Sequence, residues 1–264
     1  MASVGIFDSG VGGLTVASAL HDLRPTLDIH YVADTAHFPY GGRPPEFVAD
    51  RASVITARLV ARGADAVVVA CNTATSAALE RLRQEQTVPI IGMEPPLKPA
   101  AERSRSRRVA VLATPGTVAG ARLARLAADY AADVEVFALA MPGLADLVEA
   151  GSIDGPEVEE MLRDALDTPL REGVDVVALG CTHYGLLLPL LARVLPEGVS
   201  VLDAALPVAR RVAAVLGEAD VEPGGTGEVV CYPSGDAAAF ERVLSRLRGA
   251  QADLPSIRVE RLAA

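Results

Sequence analysis

Short apolar runs alternate with longer stretches of helical period along nearly the whole chain. Residues 3–8 (SVGIFD) read as a buried strand, followed by the Gly-rich turn SGVGG and a helix over about 14–23. Residues 30–33 predict a second strand, closed by the loop DTAHFPYGG, and 45–62 a helix. A Val-rich run ending in Cys71 predicts a third strand, followed by the helix ATSAALERLRQEQ and the strand VPIIGM. The pattern then restarts: RRVAVLAT is a strand, PGTVAGARLARLAADY a turn and helix, VEVFALA a strand and VEEMLRDALDTPLREG a helix. Strands that alternate with helices in this way imply parallel sheets with right-handed crossovers.

The Pro-rich stretch at 94–108 is the best domain boundary, and after about Leu202 the chain is expected to return to the first sheet. That return comprises a helix at 206–217, the strand and loop GEVVCYPSGD, a helix and the strand IRVERL. The expected architecture is α/β: two doubly wound parallel-sheet domains related by pseudo-symmetry, with the active site in the cleft between them. Residues 1–95 plus 206–264 would form the first, and 96–205 the second.

Two segments look like copies of each other. GADAVVVACNT (63–73) and GVDVVALGCTH (173–183) share Gly, Asp, Val and Cys at an offset of 110, with apolar residues at most other positions. A buried parallel strand delivers its last residue to the carboxyl edge of the sheet, where open α/β folds bind ligands. Cys71 and Cys181 therefore stand at equivalent positions of two related halves. Buried thiols are common packing residues. Matched placement and polar followers (Asn72-Thr73, Thr182-His183) instead suit a pair of acid/base groups for moving a proton from one face of a substrate to the other. Cys231 reads as a core strand residue.

Composition narrows the chemistry. The net charge of −10 argues against nucleic acid, which needs a basic footprint. No secretory signal pattern and no run of about 18 apolar residues is visible, so no membrane is expected. Three cysteines do not make a disulfide framework, which points to a reducing cytoplasm. Lys98, in the connector-like PPLKP, is the only lysine. Pyridoxal chemistry needs a Schiff-base lysine in its pocket, and no cofactor is expected. Structural zinc sites show CxxC or HxxxH pairs, which are lacking here, and no metal is expected. The Asp8-Ser9-Gly10-Val11-Gly12-Gly13 turn offers amides to an anion, with a carboxylate favoured over a nucleotide because no Walker lysine is available. The alternative reading of Asp8 is a strand-end residue that caps the helix. The Asp34–Gly42 loop is read as presenting backbone amides and the Tyr40 hydroxyl to a ligand, or as an ordinary turn.

VGIFDSGVGGLTV, DTAHFPYG, ACNTAT and GCTHY, in this order and spacing, resemble the glutamate racemases, within the cofactor-independent aspartate/glutamate racemase superfamily. The resemblance spans essentially the whole chain. It implies cofactor-free interconversion of L- and D-glutamate, supplying D-glutamate for peptidoglycan, by a homodimer. Cys71 and Cys181 would be the acid/base pair, with Asp8 assisting Cys71 and His183 supporting Cys181. Asp8 and Ser9, Tyr40 and Gly41, Asn72 and Thr73, and Thr182 and His183 would bind substrate. Glu149 matches a family glutamate near the second cysteine. His37 stands where the family commonly has Arg, Gly185 where it has Pro, and Met141-Pro142 where it has Cys-Pro. These departures keep open aspartate or another amino acid as substrate. From the residues alone, a non-catalytic protein that binds a small acidic ligand is the rival reading.

Overall fold

A computed structural model describes residues 2–217, 225–250 and 254–261. In chain order, β1 (Ser3–Asp8), α1 (Leu14–Leu23) and β2 (Asp28–Ala33) lead through two 3-10 turns, Thr35–His37 and Tyr40–Gly42, into α2 (Pro45–Ala61), β3 (Ala66–Val69), α3 (Asn72–Glu85) and β4 (Ile90–Gly92). Next come α4 (Leu97–Arg103), β5 (Arg108–Ala113), α5 (Pro115–Val118), α6 (Ala121–Tyr130), β6 (Glu135–Ala140), α7 (Leu144–Glu149) and α8 (Pro156–Arg171). They are followed by β7 (Val176–Leu179), α9 (Thr182–Gly185), α10 (Leu188–Val194) and β8 (Ser200–Leu202), then α11 (Ala205–Leu216), β9 (Val229–Pro233), α12 (Ala237–Ala250) and β10 (Ile257–Val259).

The chain divides into two units, Met1–Met93 with Ala205–Ala264, and Glu94–Ala204. Each is a parallel α/β layer structure. The first holds a sheet in the order β10-β9-β2-β1-β3-β4, the second a sheet in the order β6-β5-β7-β8. The first unit's core packs Phe7, Val32, Val67 and Val69 of the sheet against Ile55 and Leu59 of α2 and Leu79 and Leu82 of α3. The second packs Val109, Val111 and Val176 against Leu97, Leu123 and Leu126. Each such side chain, fully buried, contributes about 1.5–3 kcal/mol. Aliphatic side chains fill both layers, which is why so few aromatics suffice.

The duplicated segment has a structural reason at each shared position. Gly63 and Gly173 lie just past α2 and α8 with φ of 91° and 90°, the left-handed conformation that ends a helix and that glycine adopts without strain. Asp65 accepts a hydrogen bond from the Ser3 amide at 2.9 Å. Asp175 accepts from the Ser104 hydroxyl at 2.6 Å and from the Arg105 and Ser106 amides at 2.7 and 2.9 Å. Each aspartate thus ties the incoming strand to the chain that starts the neighbouring one. The Val positions fill the core, and the Cys follows at the sheet's carboxyl edge.

Two differences from the sequence reading stand out. The Pro-rich stretch is not an open connector: residues 97–103 form α4, which buries Leu97, Ala100 and Ala101. Prolines sit at its start, where a missing amide costs nothing. The short β8 lies outside the elements expected from the pattern. Cys231 lies fully buried on β9, opposite Tyr31 of β2. Residues 218–224, 251–253 and 262–264, which fall in the expected first domain and include the last residue of IRVERL, lie outside the described residues. Among the described residues no helix is long and apolar enough to cross a membrane.

Candidate active site

Both sheets place a strand end at the same kind of position. β1 lies between β2 and β3, and β5 between β6 and β7, so the chain switches direction across the sheet beside β1 and beside β5. Ligands of open α/β sheets bind outside the carboxyl ends of strands at such switch points. The register is the same in both units: Phe7 pairs with Val69, and Leu112 with Leu179. The Ala70 amide donates to the Phe7 carbonyl at 2.8 Å and the Gly180 amide to the Leu112 carbonyl at 2.7 Å. One residue later come Cys71, at φ −136°, ψ 122°, and Cys181, at φ −143°, ψ 133°, each immediately before a helix. Both thiols are buried and neither forms a disulfide.

Around Cys71 the first unit gathers Asp8, Ser9, Asn72, Thr73 and the Tyr40 loop. Asp8, fully buried at the end of β1, accepts from the Ser9 amide at 2.7 Å and the Gly13 amide at 2.6 Å. The turn's own carboxylate thus takes two of the amides that the sequence reading offered to an anion. Asn72, on the first turn of α3, is buried, and neither its side-chain nitrogen nor its side-chain oxygen has a hydrogen-bonding partner among the described residues. An unsatisfied buried amide costs about 1–3 kcal/mol, so a ligand that supplies the missing partners gains that much. Thr73 is half-buried beside it.

The sequence reading passed over the chemistry of Asp34 and Arg51. Asp34, at the end of β2, is fully buried and grips Arg51 of α2 through two contacts, Nη2 to Oδ1 at 2.8 Å and Nε to Oδ2 at 3.0 Å. The Tyr40 hydroxyl donates to Oδ2 at 2.6 Å, and His37 Nδ1 meets Oδ1 at 3.0 Å. Tyr40 is buried too; its hydroxyl donates to Asp34, and the Arg51 guanidinium lies within hydrogen-bonding reach of it as well. Gly41 follows in the same 3-10 turn, half-buried. Burial alone would push the Asp34 carboxyl up, but hydrogen bonds from Arg51, Tyr40 and Ser234 outweigh it and hold it at about 2, below the ordinary 3.8. Burial, then the Asp34 charge, push the Tyr40 phenol well above its usual range.

A folded-state value below the unfolded one means that Asp34 stabilises the fold above about pH 4, and that this contribution fades as pH falls toward 2. We expect it to amount to about 1–2 kcal/mol once solvent screening at the partly exposed Arg51 is allowed for. Urea unfolding of Asp34→Asn between pH 5 and 2.5 should therefore show a flatter acid limb than the parent. Equal slopes would exclude the ion pair as a source of acid lability.

Cys181 has different company. Ala113 and Thr114 occupy the positions of Asp8 and Ser9, so no carboxylate stands at the end of the central strand. Instead His183, on α9, places Nδ1 3.9 Å from Cys181 Sγ, and its Nε2 meets Glu149 Oε2 of α7 at 2.9 Å. His183 is almost fully buried, whereas Glu149 is 16% exposed. Thr182 is buried next to them, and Tyr184 is anchored by its hydroxyl to the Met141 carbonyl at 3.3 Å. The Thr114 and Thr117 hydroxyls, 3.0 Å apart beside the β5 end, were not singled out from sequence. Extending the Cys71/Cys181 repeat back to the paired strand would have pointed to Thr114. Among the described residues no three His, Cys, Asp or Glu side chains gather in a metal-holding group.

The profile of the Asp/Glu/Hydantoin racemase family matches residues 15–212. A glutamate racemase of Ectopseudomonas mendocina is 43% identical over 96% of this chain and 97% of its own length. One from Roseiflexus is 43% identical over 97% and 94%. Of solved structures, Escherichia coli glutamate racemase, in complex with L-glutamate and the activator UDP-MurNAc-ala, superposes with a TM-score of 0.84 at 31% identity over 100% of this chain and 99% of that one. The Thermus thermophilus glutamate racemase, in complex with beta-chloro-D-alanine, gives 0.78 at 38% identity over 99% and 97%.

Proposed function

The chain belongs to the Asp/Glu/hydantoin racemase family, and we propose that it is a glutamate racemase in which Cys71 and Cys181 act on opposite faces of the substrate Cα. The observation that carries this reading is the pair of buried thiols at one and the same register position of two like sheets. One is a thiolate and removes the α-proton; the other is a thiol and protonates the planar carbanion from the far side. In the reverse direction the roles exchange. The charge of the carbanion spreads into the adjacent α-carboxylate, so hydrogen bonds to that carboxylate supply the stabilisation.

Asn72 is the best-supported substrate ligand, because both its side-chain polar atoms lack partners among the described residues. Thr73, Ser9 and Thr182 would add hydroxyls, and Tyr40 and Gly41 the loop that closes the first half-site. Asp8 would assist Cys71, and His183 with Glu149 would serve Cys181. We further propose a cytoplasmic homodimer whose D-glutamate feeds peptidoglycan synthesis, which rests on the family resemblance.

Purified, reduced protein incubated with L-glutamate should bring the circular dichroism of the solution to zero, with L-aspartate unchanged in parallel. A flat glutamate trace would overturn the proposal. Loss of the aspartate signal instead would reassign the substrate.

A further inference from the structure

We infer that Asp34 and Arg51 are positioning residues for the reaction proposed above: as an interlocked ion pair they fix Tyr40, and with it the Asp34–Gly42 loop, against the start of α3 where Cys71 sits. The inference rests on that functional reading.

The geometry is that of a clamp. The carboxylate ends β2, the guanidinium comes from α2, and the phenol from the loop itself, with contacts of 2.8, 3.0 and 2.6 Å. The Tyr40 ring lies in the same buried cluster as Cys71, Phe7, Val32 and Ala74. The far side of the loop is tied as well. The Ser234 amide donates to the Ala33 carbonyl at 2.8 Å, the Ala36 amide to the Ser234 hydroxyl at 3.1 Å, and the Gly235 amide to the Thr35 hydroxyl at 3.0 Å.

An ion pair with one buried member is a modest source of stability, since apolar groups of the same volume often do as well. Its best-attested use is to fix one arrangement against others. Here the arrangement it fixes is that of the Tyr40 side chain and the loop that carries it. The clamp would therefore set the shape of the substrate loop without touching the amino acid.

The test is steady-state kinetics on the full-length protein carrying Tyr40→Phe, Arg51→Gln, Arg51→Lys, or Tyr40→Phe with Arg51→Gln. Arg51→Gln should raise KM for glutamate about tenfold with kcat changed less than about threefold. Arg51→Lys should recover part of the loss. The double variant should be no worse than the worse single one, because Arg51 acts through Tyr40. A lowered melting temperature with unchanged KM would make the pair merely structural and overturn the inference, as would additive effects in the double variant. A parent protein that does not racemise glutamate sinks the functional reading and this inference with it. An active parent whose KM ignores Arg51 sinks this inference alone.

Discussion

Cys71→Ala and Cys181→Ala are each expected to lower glutamate racemisation by about 10²–10⁴-fold in both directions, since a positioned acid or base is worth that much and inversion requires both. Methyl for thiol is a mild change in a buried site, so both variants should fold, and near-UV circular dichroism would verify it. The informative readout is α-deuterium incorporation in D₂O. The remaining thiolate still reaches one face of Cα, removes the proton there and returns a deuteron to the same face. Exchange without inversion should therefore survive for one enantiomer in each variant, and for opposite enantiomers in the two. Near-parental turnover in either variant, or exchange of the same enantiomer in both, would exclude two-sided proton transfer.

The second large effect concerns the unequal surroundings of the two thiols. Cys181 is backed by His183 and Glu149, whereas Asp8 ends the strand beside the one that delivers Cys71. His183→Asn should cost about 10²-fold in kcat/KM, and Glu149→Gln somewhat less. The loss must be equal in the two directions. Enantiomers have the same free energy in water, so the equilibrium constant is one and the two values of kcat/KM cannot diverge. The asymmetry emerges in isotope effects instead. Once the Cys181 step limits the rate, the primary effect of an α-deuterium should grow for the enantiomer whose proton goes to Cys181 and shrink for the other. Isotope effects that change equally for both enantiomers would mean that His183 does not serve Cys181 in particular.

Much of this was legible in the chain. The two Val-rich runs announce buried parallel strands because such strands need apolar residues on both faces. Their shared Gly, Asp and Cys could be aligned because the same helix end, strand tie and sheet edge recur in both units. What stayed hidden depends on contacts across sequence distance. Nothing in the order of residues says that Arg51, facing inward from α2, meets a carboxylate across a loop. Nor does it say that Asp8 spends its oxygens on the amides of its own turn. Asn72 could be proposed from its place after Cys71, but only the fold reveals that its amide is buried with no partner among the described residues. Helix α4 was obscured because prolines, which usually mark connectors, are tolerated in a first helical turn.

The strand order also sets a schedule for synthesis. β9 lies beside β2 in the first sheet, yet it is encoded after the whole Glu94–Ala204 unit. While the ribosome makes that unit, the outer side of β2 has no neighbour, and Asp34 waits for the Ser234 end of its brace. An unpaired strand edge is a template for pairing with other chains. Nascent chains halted before Val229 should thus be the aggregation-prone species of this protein, and the half bearing Cys181 is free to fold before the half bearing Cys71 is complete.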